Sequence, residues 1–194
     1  MPSPPLILAS TSPYRRQLLS RLHLDFEVIA PLVDESVQAL ETPLQRAQRL
    51  ALAKARAVSV RHPSAVVIGS DQVAVCKGEL LEKPGGPERC QAQLQWLSAA
   101  AATFYTAVAV LHAASDASTQ FVDTTTVYFR ALSTAEIERY IIAEQPFDCA
   151  GGFRAEGLGI SLFARVVSDD PTALIGLPLI ALARALRQLG CELP

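Results

Sequence analysis

The sequence lacks the motifs that would assign it to several large protein classes. Its cysteines are scattered without a CxxC pair, and its three histidines show no ligand spacing, which argues against a zinc site or a disulfide framework. Walker A, GxGxxG and GxSxG motifs are absent as well. We therefore expect the cysteines to be small buried side chains: Cys76, Cys90, Cys149 and Cys191.

Long apolar runs, a basic leader and an excess of basic charge are also missing. The longest apolar stretches, such as AVAVLHAA, have the length of a strand, and MPSPPLILAS has too short an apolar run for a signal peptide. A net charge of −2 argues against a protein that coats a nucleic-acid backbone. We expect a cytoplasmic protein with neither a membrane nor a nucleic acid as partner.

The order of predicted elements favours an α/β fold. The chain has 194 residues, half of them hydrophobic, which is enough for one domain with a large core. We expect strands at 6–9, 26–30, 65–75, 103–113, 119–130 and 160–167, and helices at 13–22, 42–61, 87–97, from Ser133, and 178–189. The pattern predicts a mixed sheet with flanking helices in a single domain, residues 1–194, whose lobe boundary lies at the 103–130 hairpin.

The segment LILASTSPYRR has the features of a phosphate site. Its apolar run predicts a buried strand, and Ser12 before Pro13 predicts the cap and first position of a helix. Backbone N–H groups at a helix N-terminus lack partners and attract anions, and Arg15 and Arg16 add forked donors. A capped surface helix with arginines facing water is the alternative, and the segment alone leaves both open.

The predicted helix 42–61 places a lysine on its apolar side. Its apolar stripe consists of Leu44, Ala47, Leu50, Ala51, Ala55 and Val58, and the opposite side carries Arg46, Arg49 and Arg56. Lys54 falls inside the stripe, where a charge is costly unless the lysine meets an anion or extends to an edge. Lysine is scarce in this chain, with three against fourteen arginines. We favour a functional role for Lys54.

Two acids and a second lysine complete the set of candidates. Asp71 follows an apolar run with Gly69 and Ser70 before it, which suggests a carboxylate at the end of a buried strand, although a plain turn residue would look the same. Glu35, in the loop PLVDES, and Asp71 are candidate oxygen ligands for Mg²⁺ or Mn²⁺. Lys83 precedes a proline in a stiff turn that would hold an ammonium group over a phosphate.

Eight segments together resemble the Maf family of nucleoside triphosphate pyrophosphatases over essentially the whole chain. They are LILASTSPYRRQLL, VDES, LAKA, IGSDQ, EKP, TFYTAVAV, AGGFRAEGLG and DPTALIGLPL, in the family's order and spacing. The resemblance implies an inosine-triphosphatase-like α/β fold with a cleft between two lobes. It also implies hydrolysis between the α and β phosphates with a divalent cation. The implied site residues are Asp71 as proton acceptor and Ser10, Arg15, Glu35, Lys54 and Lys83 around the phosphates, with Glu35 and Asp71 as metal ligands.

Within the family the chain is most similar to the branch that acts on 7-methyl-GTP and so keeps modified nucleotides out of nucleic acid. The branch-separating positions correspond to Tyr14, Gln72 and Glu156. Tyr14 is aromatic where the dTTP/UTP branch is basic, and Glu156 is acidic where that branch has an amide. An aromatic face and a carboxylate suit the cationic ring of 7-methylguanine.

The chain departs from the family pattern at two positions. Tyr14 stands where tryptophan is usual, which keeps an aromatic face, and Arg154 stands where lysine is usual, which leaves the role of Arg154 open. The alternatives are a dTTP/UTP pyrophosphatase of the same family and a nucleotide-binding regulator of cell division. The resemblance also leaves a homodimer open, and no apolar stripe in the chain demonstrates one.

Overall fold

The structure, a computed structural model, describes residues 4–194 and arranges them as an α/β protein. Its strands are β1 (Leu6–Ala9), β2 (Glu27–Ile29), β3 (Val66–Cys76), β4 (Glu79–Leu81), β5 (Ala101–His112), β6 (Ala117–Phe129) and β7 (Phe163–Val167). Its α-helices are α1 (Pro13–Ser20), α2 (Pro43–Ser59), α3 (Pro87–Leu97), α4 (Thr134–Glu144) and α5 (Leu179–Gln188). Within residues 4–194, no helix is long and apolar enough to cross a membrane.

The strands form a mixed sheet in the order β2-β1-β3-β5-β6-β7, with β4 paired to β3. β1 is parallel to both β2 and β3, whereas β4 and β7 are antiparallel to their neighbours. The predicted α/β class with a mixed sheet is therefore confirmed.

Three local expectations were wrong. β3 runs through Asp71 to Cys76, close to the predicted range of 65–75, so Asp71 lies inside the strand and not at its end. Residues 79–81, where no strand was expected, form the short strand β4, because the chain reverses at residues 77–78 and pairs back onto β3. β7 begins at residue 163 rather than 160, since residues 158–162 form a 3₁₀ helix.

The chain divides into two compact units. The first unit contains the residues up to Gln72 together with Tyr105–Asp123 and Asp170–Pro194. The second unit contains Val73–Phe104 and Thr124–Asp169. The boundaries therefore fall inside β3 and inside both strands of the predicted hairpin, as well as after β7. The single-domain assignment itself stays a prediction.

The first unit buries both faces of its parallel strands. Successive residues of a strand point to opposite faces, so β1 contributes Leu6 and Leu8 to one core and Ile7 and Ala9 to the other. The first core includes residues of α1 and α5, and the second includes residues of α2. Burial on both faces explains why these strands read as unbroken apolar runs.

Helix α2 packs very closely against β3. A Cβ atom built on Gly69 would lie 2.6 Å from the Ala55 amide nitrogen and closer still to the Ala51 carbonyl oxygen. The buried face of α2 includes most of the predicted stripe and Lys54, which is 7% exposed. Leu44 is the exception, at 37% exposed, because it lies in the first turn of the helix.

Replacing Gly69 by alanine is expected to destabilise the protein. The added methyl group must displace the backbone of α2, and overpacking of this kind costs about 1–3 kcal/mol. Urea unfolding measures the change. Gly86→Ala is the control, because nothing lies within 4 Å of a Cβ atom there, and we expect a loss below about 1 kcal/mol at this helix cap. Equal losses in the two variants would contradict the close-packing explanation.

The second unit has an aromatic core. The ring of Phe153 makes edge contacts with Phe104, Phe129 and Phe163 at centroid distances of 5.1–5.6 Å. Helix α4 begins with a capping box, in which Ser133 accepts from the Glu136 amide and Glu136 accepts from the Ser133 amide. This helix bears the side chains that hold the glycine-rich segment after residue 150.

The four cysteines are free thiols, and three of them, Cys76, Cys90 and Cys191, are buried as expected. Burial raises the pKa of the Cys90 thiol to about 11. Cys149 is partly exposed, so the expectation of a buried side chain was wrong at that position.

Candidate active site

A buried lysine joins two carboxylates in the first unit. Lys54 Nζ lies 2.7 Å from Asp71 Oδ1 and 2.8 Å from Glu35 Oε1. The side chains of Lys54 and Asp71 are 9% and 10% exposed, whereas that of Glu35 is 57% exposed. Lys54 therefore meets anions, and those anions are two of the acids predicted for the same site.

The register of the sheet explains why Asp71 reaches Lys54. β1 ends at Ala9, which pairs with Gly69, so Asp71 lies just beyond the carboxyl end of its parallel neighbour. Gly69 and Asp71 share a face of β3, and Gly69 faces α2, so Asp71 points toward that helix as well. Asp71 therefore lies at the carboxyl edge of the parallel strands, although β3 itself continues past it.

Two arginines hold the loop that carries Glu35 against α2. Arg46 Nη2 donates to the Glu35 carbonyl oxygen at 3.2 Å, and Arg49 Nη2 donates to the Ser36 carbonyl oxygen at 3.0 Å. Arg49 also binds Glu41 through both its Nε and its Nη2. These arginines lie opposite the apolar stripe, as predicted, and they have a structural role that the sequence did not indicate.

Arg15 approaches the carboxylates from α1. Its Nε donates to the Gly176 carbonyl oxygen at 2.9 Å. Burial lowers the pKa of the Arg15 guanidinium, while the negative charges of Asp71 and Glu35 act in the opposite direction. The guanidinium therefore lies within electrostatic reach of both acids and adds a second cation to the site.

The N-terminus of α1 is less available to an anion than the sequence suggested. Ser12 caps the helix and Pro13 occupies its first turn, as predicted. The Ser12 amide, however, donates to Ser10 Oγ at 3.1 Å, and the Arg15 amide donates to Ser12 Oγ at 3.3 Å. The expectation of unpaired amides was wrong at these two positions. The Arg15 side chain and the buried hydroxyl of Ser10 stay predicted donors to a phosphate.

Two of the predicted specificity residues lie in the first unit. Tyr14 is half-buried next to Arg15 in the first turn of α1. Gln72 uses its amide NH₂ within the protein, where it lies 2.9 Å from Thr106 Oγ1 and 3.1 Å from the carbonyl oxygens of Ala173 and Leu174. Any contact of Gln72 with a nucleobase would therefore use its carbonyl oxygen.

The second unit carries Glu156 on a loop that Arg154 helps to hold. Arg154 Nη1 donates to Glu144 Oε1 at 2.9 Å, and the Leu158 amide donates to Glu144 Oε2 at 2.7 Å. The Arg154 amide donates to the Tyr140 hydroxyl at 3.0 Å. Arg154 thus has a structural role, and it fixes the segment on which Glu156 is exposed.

Lys83 lies in the second unit in a segment anchored on both sides. The Gly151 amide donates to the Glu82 carbonyl oxygen at 3.3 Å, and the Gly85 amide donates to the Phe147 carbonyl oxygen at 2.9 Å. The side chain of Lys83 is exposed. The roles of Lys83 and Glu156 toward a ligand stay predictions.

Fold and site together define an α/β protein with an acid–lysine–acid cluster and an arginine at the carboxyl edge of parallel strands. The chain belongs to the Maf family, since the family model described as "Maf-like protein" matches residues 5–189.

Relatives extend the similarity to nearly the full length. A 7-methyl-GTP pyrophosphatase of Xanthomonas oryzae pv. oryzae is 56% identical over 191 residues, which are 98% of this chain and 100% of the relative. Those of Albidiferax ferrireducens and Idiomarina loihiensis are 53% and 50% identical, covering 96% of this chain and 94% and 95% of the relatives.

Solved structures bear on the fold alone. A HAM1 protein from Coxiella burnetii matches with a TM-score of 0.52 at 15% identity, covering 94% of this chain and 98% of that chain. The Ham1 protein of Staphylococcus aureus matches with a TM-score of 0.51 at 14% identity, covering 96% and 99%.

Proposed function

We propose that this protein hydrolyses 7-methyl-GTP to 7-methyl-GMP and diphosphate, and so keeps modified nucleotides out of nucleic acid. The names of relatives that are 50–56% identical over nearly the whole chain support this substrate. The observation that carries the chemistry is the contact of Lys54 with both Asp71 and Glu35. A carboxylate held beside a fixed cation is suited to activating water next to a bound phosphate.

Each residue of the cluster has a defined part in this proposal. Asp71 accepts a proton from the attacking water molecule. The water oxygen forms a bond to the α-phosphorus, and the bond from that phosphorus to the departing diphosphate breaks. Lys54 orients the Asp71 carboxylate, and the charges of Lys54 and Arg15 stabilise the negative charge that develops on the phosphoryl oxygens. Ser10 and Lys83 are proposed as further donors to the phosphates.

We also propose Mg²⁺ or Mn²⁺ as cofactor, with Glu35 and Asp71 as its protein ligands. Throughout residues 4–194, no group of three or more His, Cys, Asp or Glu side chains is arranged to hold a metal. Two carboxylates that contact one ammonium group fit a hard cation whose remaining ligands are water and substrate phosphates. When bound, such a cation would neutralise charge on the phosphates.

Recognition of the base is proposed to use Tyr14 and Glu156. The face of a tyrosine attracts a cationic ring, and a carboxylate accepts hydrogen bonds from N1–H and the exocyclic amine of 7-methylguanine. Both side chains have surface that a ligand can reach, since Tyr14 is only half-buried and Glu156 is exposed. Unmethylated GTP lacks the positive charge and should be a poorer substrate.

A panel of nucleoside triphosphates tests the proposed substrate. Diphosphate release is measured with 7-methyl-GTP, GTP, dTTP and UTP in Mg²⁺ or Mn²⁺, with EDTA as a separate arm. We expect the highest kcat/KM with 7-methyl-GTP and no release in EDTA. Faster turnover of dTTP or UTP would favour the alternative substrate, full activity in EDTA would exclude the cofactor, and binding without turnover would favour a regulatory protein.

Exchanging the two specificity residues is expected to shift the preference. In Tyr14→Arg and in Glu156→Gln, the ratio of kcat/KM for 7-methyl-GTP to that for dTTP should fall by about 10-fold each, because a cation–π contact or a charge-assisted hydrogen bond is lost. Glu138→Gln, at an exposed position of α4, is the matched control. An unchanged ratio in both specificity variants would contradict their assignment.

A further inference from the structure

The segment Asp170–Pro178, here called the 170s loop, supplies backbone carbonyl groups to residues around the site. The Gly176 oxygen accepts from Arg15 Nε at 2.9 Å and from Ser70 Oγ at 3.0 Å. The Ala173 oxygen accepts from Thr106 Oγ1 at 3.0 Å and lies 3.1 Å from Gln72 Nε2. The orientation of Arg15 therefore depends on the shape of this loop.

The loop is closed by the buried carboxylate of Asp170, which is 3% exposed. Its Oδ1 accepts from the amide and the hydroxyl of Thr172, at 2.8 and 2.6 Å. Its Oδ2 accepts from the Ile180 amide at 2.6 Å, in the first turn of α5, where the helix dipole favours a negative charge. One side chain thus joins the start of the loop to the helix that follows it.

The hydroxyl group of Thr172 links the start of the 170s loop to its end. Its Oγ1 accepts from the Leu179 amide at 2.9 Å and lies 2.8 Å from the Leu177 carbonyl oxygen. Between Thr172 and α5 the chain turns at Gly176, which has a φ of +123°. Glycine adopts this conformation readily, whereas it is strained for other residues. A Cβ atom there would lie 3.4 Å from Arg15 Nε.

We propose that Asp170 is a positioning residue for the reaction, acting through the 170s loop on Arg15; this rests on the proposed function. With Asp170 in place, the Gly176 carbonyl oxygen accepts a hydrogen bond from the Nε–H group of Arg15. The guanidinium is then held in one orientation, and its two Nη groups are directed to an anion. Positioning matters because a displacement of about 1 Å at a reacting group costs about 100-fold in rate.

The test is a double-mutant cycle between Asp170 and Arg15. Asp170→Asn keeps the shape but replaces one acceptor oxygen by an NH₂ group that faces backbone amides. In the wild-type background we expect it to lower kcat/KM and to weaken binding of inorganic diphosphate, each by about 10- to 100-fold. In the Arg15→Ala background the same change should cost less than about 3-fold, because the residue it positions is gone.

Two further variants separate positioning from folding. Asp169→Asn makes the same chemical change at an exposed neighbour and should leave both measurements unchanged. Thr172→Ser keeps the hydroxyl group and should behave as wild type. If Asp170→Asn does not fold by circular dichroism, Thr172→Val takes its place in the cycle.

The outcomes are separable. Equal losses in the two backgrounds, or no loss in the wild-type background, would overturn the positioning role. Diphosphate binding does not depend on the nucleoside, so the coupling between Asp170 and Arg15 can hold or fail whichever triphosphate is hydrolysed. A wild-type protein that releases no diphosphate from 7-methyl-GTP would instead refute the proposed function.

Discussion

Replacing Asp71 by asparagine is expected to lower kcat for diphosphate release by about 1,000-fold, because general-base catalysis contributes about 100- to 10,000-fold. Asparagine keeps the size of the side chain but cannot accept the proton of a water molecule. Nucleotide binding measured without a divalent cation should change far less, since Arg15 retains its contact with the Gly176 carbonyl group. Steady-state kinetics gives the loss in kcat, and calorimetry gives the change in affinity.

Asp116→Asn is the control for this variant. Asp116 is exposed and has a φ of +53°, a conformation that asparagine tolerates well. We expect wild-type activity there. If Asp71→Asn retained more than about a tenth of wild-type kcat, the assignment of Asp71 as proton acceptor would be wrong.

The second large effect is expected for Lys54→Met. Removing the ammonium group leaves the buried carboxylate of Asp71 facing Glu35 without a cation between them. Loss of one partner of a buried ion pair costs about 3–5 kcal/mol of unfolding free energy. We expect a value near the lower end, because Glu35 is exposed and water solvates its charge. kcat should fall by about 100- to 1,000-fold, because the removed charge acts on the developing phosphoryl charge.

Two variants check that this effect has an electrostatic origin. Lys77→Met removes an exposed lysine in the turn before β4 and should lower stability by no more than about 1 kcal/mol, because the contacts it loses with Trp96 are exposed ones. Lys54→Met combined with Asp71→Leu removes both charges of the buried pair, so the double variant should regain stability but no activity. Urea unfolding and kinetics are measured on all three proteins. A double variant less stable than Lys54→Met would contradict the explanation.

The parts of the fold that depend on local sequence could be predicted well. The strand of LILA, the Ser12 cap with Pro13 and the burial of Lys54 all follow from patterns within a few residues, and the structure confirms them. The parts that depend on distant contacts could not. No pattern in the helix itself showed that Lys54 would contact Asp71 and Glu35, because that depends on how α2 packs on β3.

The hydrogen bonds to backbone carbonyl oxygens were the largest part of the site that the sequence did not predict. Arg15 and Gln72 were expected to face a ligand, but Arg15 Nε and the Gln72 amide group bind carbonyl oxygens of the 170s loop. A carbonyl group belongs to every residue, so its role as an acceptor leaves no mark in the sequence. The signal that was available is the Asp-x-Thr spacing of Asp170 and Thr172, which is typical of a side chain that closes a turn.

The most direct test of the account is the identity of the products formed from 7-methyl-GTP. A single incubation of the wild-type protein with this nucleotide, analysed by ion-exchange chromatography, separates 7-methyl-GMP with diphosphate from 7-methyl-GDP with phosphate. We expect 7-methyl-GMP and diphosphate in equal amounts, and neither product with Asp71→Asn. Release of phosphate and 7-methyl-GDP, or no turnover by the wild-type protein, would contradict the proposed function.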